Sequence, residues 1–190
     1  MYYLAFDTET GGIVQGVSLL TAYYGIFDDR FNIISELDLK LIPDDGIYHV
    51  TPKAMEINKI DLGLLGNGAF SYKQAGTALY NFLSDGPLVG PDKYIPVGHN
   101  LTLDIRMTKE FLISEGSYNT FISYRTLDTC SIAQFLRVSG ILPQDLSCSG
   151  EDLAKYFGVE NKVTGSLHNA RYDALTTAYI LQELMKLVKK

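Results

Sequence analysis

The chain has 190 residues, 46% of them hydrophobic, and a net charge of −6. That is enough for a single domain over residues 1–190 with a sizeable core, and too acidic for a protein that coats nucleic acid by broad phosphate neutralisation. No stretch reaches the roughly 18 apolar residues that span a bilayer, and the start, MYYLAFD, lacks the basic and long apolar segments of a signal peptide. The expected location is therefore cytoplasmic, with no membrane partner.

The first element is an apolar, aromatic-rich strand over Tyr2–Asp7 that runs into the polar DTET, with Gly11 and Gly12 as punctuation. Strand-like runs follow over Val17–Phe27 and Phe31–Ile42, joined by a turn at Asp28-Asp29-Arg30, so an antiparallel meander is expected. Thr51 and Pro52 mark a helix start as cap and first-turn residue. The Gly-rich segment Asp61–Phe70 reads as a mobile surface loop, and Ser71–Leu83 has helical spacing. A short strand at Tyr94–Gly98 precedes a helix over Leu101–Ile113. Further helices are expected over Thr129–Val138, Asp152–Phe157 (closed by Gly158) and Ala170–Val188, the last with one apolar stripe. Three strands first and then alternating helices and strands predict an α/β mixed sheet flanked by helices. Cys130 and Cys148 form neither a disulfide framework nor a zinc pattern and read as reduced, partly buried thiols.

Three segments carry chemistry. In Asp7-Thr8-Glu9, the period of two turns both carboxylates to one face of the strand and Thr8 to the other. Carboxylates that close raise each other's pKa unless a cation neutralises them, and a divalent metal would do so. The plainer alternative is a pair of solvated acids at a strand end. In Val97–Asp104 the chain turns after Gly98, and Asp104 falls in the first turn of the next helix. Taken alone, this segment reads as Asp104 complementing the helix dipole, Asn100 capping and His99 packed in the core. In Leu167–Ala174, His168 and Asp173 are five residues apart, about 500° around a helix, so they cannot share a helical face. His168 is then expected on the entering loop, either simply exposed or swinging over a site that Asp173 helps to build.

FDTET, VGHNLTLDIRM and HNARYDALTTA, in that order, resemble the three exonuclease motifs of the DEDD superfamily of 3′→5′ exonucleases, in its histidine-containing branch. The proofreading epsilon subunits of bacterial DNA polymerase III are similar. Leu127-Asp128-Thr129 resembles the central D-T before a helix, and Asp152–Gly158 the helix–glycine segment before the third motif. His168 and Asp173 satisfy the H-x4-D spacing of this branch. The tyrosine branch would need Tyr at position 169, which is Asn169, and Tyr172 has the wrong spacing.

The resemblance implies a ribonuclease H-like fold, with a five-stranded mixed sheet (meander first, then parallel strands). It further implies metal ligation by Asp7, Glu9, Asp104 and Asp173, two divalent cations (Mg²⁺ or Mn²⁺) and His168 as general base. Histidine side chains titrate near neutral pH, which suits that task. The implied substrate contacts are Thr10, Gly11, Gly12 and Ile13 at the terminal nucleotide, with His99 and Asn100. Ile13 is where such proteins place an apolar wedge between bases, though it reads equally as a strand-entry core residue. Gly11 stands where a second threonine is common, and Asn58-Lys59 where a His-Gly pair is common.

The implied reaction is hydrolysis of terminal phosphodiesters of single-stranded nucleic acid, DNA favoured, to nucleoside 5′-monophosphates. An exoribonuclease is the alternative, and a non-catalytic nucleic-acid- or protein-binding domain on the same scaffold a more distant one. The sequence ends at Lys189-Lys190, directly after the last helix. A polymerase partner is therefore possible but not indicated, and a stand-alone enzyme is expected.

Overall fold

The computed structural model describes residues 1–188. Lys189-Lys190, on which the expectation of a stand-alone enzyme rests, lie outside the described residues. Six strands form one sheet in the order β4-β3-β2-β1-β5-β6. Strand β1 (Tyr3–Thr10) pairs antiparallel with β2 (Leu19–Phe27), and β2 antiparallel with β3 (Ile33–Ile42). Strand β5 (Ile95–Gly98) pairs parallel with β1 on its other side. The expected five-stranded mixed sheet gains a sixth strand because two-residue strands close its margins. These are β4 (Phe70–Ser71) beside β3 and β6 (Leu127–Asp128) beside β5.

The helices, in chain order, are α1 (Pro52–Asn58), α2 (Leu62–Leu65), α3 (Tyr72–Ser84), α4 (Thr102–Met107), α5 (Glu115–Phe121), α6 (Thr129–Val138), α7 (Gly150–Phe157) and α8 (Ala170–Val188). Alternation along β1 divides the core. Leu4 and Phe6 face a cluster that includes Leu79, Leu83, Leu101 and Met107, while Tyr3 and Ala5 face Ala174, Leu175 and Ala178 of α8. A third cluster packs α6 and α7 against Ile180 and Leu184. Among the described residues, no helix is long and apolar enough to cross a membrane.

Several elements differ from expectation. The strand β1 continues through DTET to Thr10, because β2 keeps pairing with it as far as Thr10 opposite Leu19. The helix expected over Leu101–Ile113 ends its α-helical part at Met107 and continues as a π-helical turn over Thr108–Leu112. There the Thr108 hydroxyl donates to the Asp104 carbonyl at 2.8 Å, the kind of side-chain back-bonding that bends helices. The Asp61–Phe70 segment is partly ordered: the Asp61 carboxylate accepts from the amides of Gly63 and Leu64 and starts the short helix α2. Helix α5 has no counterpart in the sequence reading.

Candidate active site

The parallel strands β1 and β5 end at the same edge of the sheet, where α4 and α8 begin. Asp7 and Glu9 extend the Tyr3–Ala5 row and so face α8, whereas Thr8 extends the Leu4–Phe6 row and faces α4. Asp104, in the first turn of α4, is 6% exposed. Its Oδ1 accepts from both the Thr8 amide (2.9 Å) and the Thr8 hydroxyl (2.6 Å). Asp173, in the first turn of α8, is half-buried, and its Oδ2 accepts from the His168 amide at 2.8 Å. His168 is exposed on the loop before α8 with a left-handed backbone (φ 62°), the conformation that aims its amide back at Asp173. Ligand atoms of Glu9, His168 and Asp173 all lie within 4.8 Å of one another.

The electrostatics are those of crowded anions. Burial raises the Asp7 carboxyl well above its ordinary range, and Asp104, Asp173 and Glu9 add to the shift. Burial, then Asp173 and Asp104, push Glu9 to about 8. Asp104 rises to about 6 through burial, against which the Thr8 bonds act, and Asp173 to about 6 through burial, opposed by His168. Among the described residues no lysine or arginine pairs with any of the four acids. Four oxygen-donor groups, each raised above its normal pKa chiefly by burial and with no lysine or arginine paired to it, fit a hard divalent cation.

Two clefts flank the acids. One, of about 420 Å³, is bounded by Asp7, Asp173, His168, His99 and the start of α7 at Ser149–Glu151. The other, of about 450 Å³, lies between the end of β1 and α1 and is lined by Glu9, Gly12, Ile13, Thr51, Asn58 and Leu103. His99 is oriented through Thr129. The Thr129 hydroxyl donates to the Gly98 carbonyl (3.1 Å) and therefore accepts from His99 Nδ1 (2.9 Å). That leaves Nε2 as an acceptor, and burial lowers the His99 pKa in the same direction.

The structure sorts the expected substrate contacts. Ile13 is 79% exposed, which overturns its reading as a core residue. Gly12 lines the second cleft. Gly11 is committed inside the protein: its amide donates to the Ser18 carbonyl, its carbonyl accepts from the Thr51 amide, and a Cβ there would lie 2.3 Å from the His49 carbonyl. Its backbone is thus not free to meet a nucleotide. The Thr10 hydroxyl is turned into its own loop, donating to the Gly12 carbonyl at 2.7 Å. Asn100 is exposed in a left-handed conformation and does not cap α4. The α4 start is held instead by the Asp128 carboxylate, which accepts from the Leu101 amide at 2.9 Å. Thr8, Asp128 and Thr129 thus have positioning tasks that the motifs alone do not assign. Asn58 is buried and donates to the Thr10 carbonyl (3.2 Å), so the segment without the His-Gly pair still builds the cleft wall.

No family model and no curated protein sequence matches the chain. Solved structures do. Exonuclease I of E. coli in complex with a dA16 oligonucleotide is similar with a TM-score of 0.77 at 16% identity, over 99% of this chain and 41% of that one. The zinc-bound form of the E. coli exonuclease I–single-stranded DNA complex gives 0.75 at 16% identity, over 100% and 41%. A moderately thermophilic exonuclease I from Methylocaldum szegediense gives 0.71 at 15% identity, over 98% and 41%. The fold is shared. The chain spans about two fifths of the length of these proteins, and at such identities the likeness is one of architecture: the ribonuclease H-like mixed sheet with helices on both faces.

Proposed function

We propose that the chain is a metal-dependent 3′→5′ exonuclease that hydrolyses the terminal phosphodiester of single-stranded nucleic acid, DNA favoured, and releases nucleoside 5′-monophosphates in the cytoplasm. The observation that carries this reading is the meeting of four unpaired carboxylates and His168 at one sheet edge, between two clefts. The carboxylates of Asp7, Glu9, Asp104 and Asp173 would hold two divalent cations, Mg²⁺ or Mn²⁺. Such ions, when bound, supply Lewis acidity toward the phosphodiester and lower the pKa of a water. His168 would take the proton of the attacking water. Its exposed loop position lets the imidazole approach, and its amide bond to Asp173 keeps that loop beside the acids. Ile13 and the wall formed by Leu103 and Asn58 would receive the 3′-terminal base. The likeness to exonuclease I rests on the fold, and the likeness to the epsilon subunits on the three motifs.

The test is a product ladder from 5′-labelled single strands. With Mg²⁺ or Mn²⁺ the ladder should shorten one nucleotide at a time, and EDTA should stop it. DNA and RNA run in parallel decide the sugar preference. Cleavage of a covalently closed circular single strand, or undiminished hydrolysis in chelator, would overturn the proposal.

A further inference from the structure

We propose that Arg106 binds a backbone phosphate of the single strand where it passes Ile13, and that its bond to the Ile13 carbonyl aims it there. The proposal rests on the exonuclease reading above. Arg106 lies one helical turn beyond Leu103 on α4, so it stands over the rim of the cleft whose wall Leu103 forms. Its Nη2 donates to the Ile13 carbonyl at 3.1 Å, joining α4 to the turn after β1 across 93 positions of sequence. The side chain is otherwise exposed.

Lys53, at the same cleft, pairs with Glu56 (3.1 Å), Lys155 with Glu151, and Arg171 with Glu36. Among the described residues no ion pair includes Arg106. Among the same residues Arg30, Arg125 and Arg137 also lack an ion pair, and what sets Arg106 apart is its place at the cleft rim beside Ile13. One N–H of its guanidinium serves Ile13, and the remaining donors of the planar fork match the oxygens of a phosphodiester. A chain of net charge −6 repels a polyanion at long range. The four acids offer cation binding only at the reacting phosphate, so the phosphate beyond Ile13 needs a cation of its own. The exposed apolar side chains of Ile13 and Val14 beside the guanidinium suit bases, which leaves the phosphate to Arg106.

The experiment measures binding of 5′-fluorescein oligothymidylate to the whole chain, with Ca²⁺ replacing Mg²⁺, across a salt series. Arg106→Gln should weaken binding about 5–10-fold, an exposed charge-assisted contact being worth less than a buried one. It should also reduce the slope of log K against log salt by about 0.7, the value of one phosphate contact on a single strand. Arg106→Lys should keep the slope and lose part of the affinity. Ile13→Ala should weaken binding with the slope unchanged, which separates the charge from the turn it holds. Arg106→Met, which keeps the aliphatic stem, serves if the glutamine variant melts early. An unchanged slope in both neutral variants would overturn the assignment while leaving an active nuclease. Failure of the native chain both to bind and to degrade single strands would overturn the exonuclease reading, and this one with it.

Discussion

Asp104 and Asp173 both sit in the first turn of a helix, yet they are held in different ways. Asp104 is enclosed, and Thr8 grips one of its oxygens twice from the centre of the sheet. Behind it, the Thr108 hydroxyl donates to the Asp104 carbonyl and is itself paired with the Tyr24 hydroxyl (2.8 Å) in the core. Asp173 is half-buried, and its partner from outside its own helix is the amide of an exposed loop residue, His168. The carboxylate on the α4 side is set by the core before any ligand arrives, while on the α8 side Asp173 is tied to the exposed loop that enters its helix. Segments with few buried contacts open most easily, and proteins place moving catalytic groups on them. Under the proposed function, the contrast suits a site whose metal ligands would be fixed and whose proton acceptor would come and go.

Each half can be broken separately. Asp7 serves both, and Asp7→Asn should cost the largest effect, a loss of turnover of about 10³-fold or more. The metal-free variant should melt higher than the native protein, since one member of a repelling group is gone. A lower melting temperature would mean that Asp7 stabilises the fold.

On the exposed side, His168→Ala should lower turnover by about 10²–10⁴-fold. It should leave Mn²⁺ affinity, read by calorimetry, nearly unchanged. Asp173→Asn should weaken both, because an amide is a poorer ligand for a hard cation. If His168→Ala abolished metal binding, the imidazole would be a ligand and not the base.

On the rigid side, Thr8→Val removes the 2.6 Å hydroxyl contact and keeps the amide contact. We expect a stability loss of about 1–3 kcal/mol and weaker Mn²⁺ binding, with Thr8→Ser restoring both. Equal behaviour of the valine and serine variants would show that the hydroxyl does not orient Asp104.

The smallest effect is on pH-dependent stability. The folded pKa of Glu9 lies at about 8, above its unfolded value, so the folded state binds the proton more tightly. Its stabilising contribution is complete at low pH and is lost as pH rises from about 4.5 through 8. Asp104 and Asp173 add losses of the same sign as pH passes about 6. The metal-free protein should therefore melt at progressively lower temperature over this range, and Glu9→Gln should flatten the trend. A melting temperature that rises with pH across the window would contradict the raised pKa values of these buried acids.

The local placement of the acids is legible in the sequence, while their joining into one site is implied by the resemblance of the three motifs. Period two puts Asp7 and Glu9 together, the turn after Gly98 puts Asp104 in a first helical turn, and the angular mismatch with Asp173 puts His168 outside α8. Thr8 is legible only in direction, since nothing local says that α4 begins on the face to which it points. Gly11 shows the opposite failure. Its motif position suggests a ligand contact, but the backbone at His49–Val50 passes so close that its polar groups are consumed in chain-to-chain pairing. The π-helical turn after α4 escapes pattern reading, and the Thr108 bond to the Asp104 carbonyl does not by itself account for it, since Thr77 and Thr120 make the same bond in unbroken helices.

The ladder between β1 and β2 shifts register between Glu9 and Thr10: Glu9 faces Thr21, and Thr10 faces Leu19. A strand with one extra residue on its partner cannot be shortened or lengthened there without turning every following side chain to the opposite face. Descent with insertions and deletions is therefore constrained unevenly across this short stretch. The exposed turn at Val14–Gly16 can vary in length, whereas a single codon lost or gained between Val17 and Thr21 would shift the pairing of β2 against β1 by one residue.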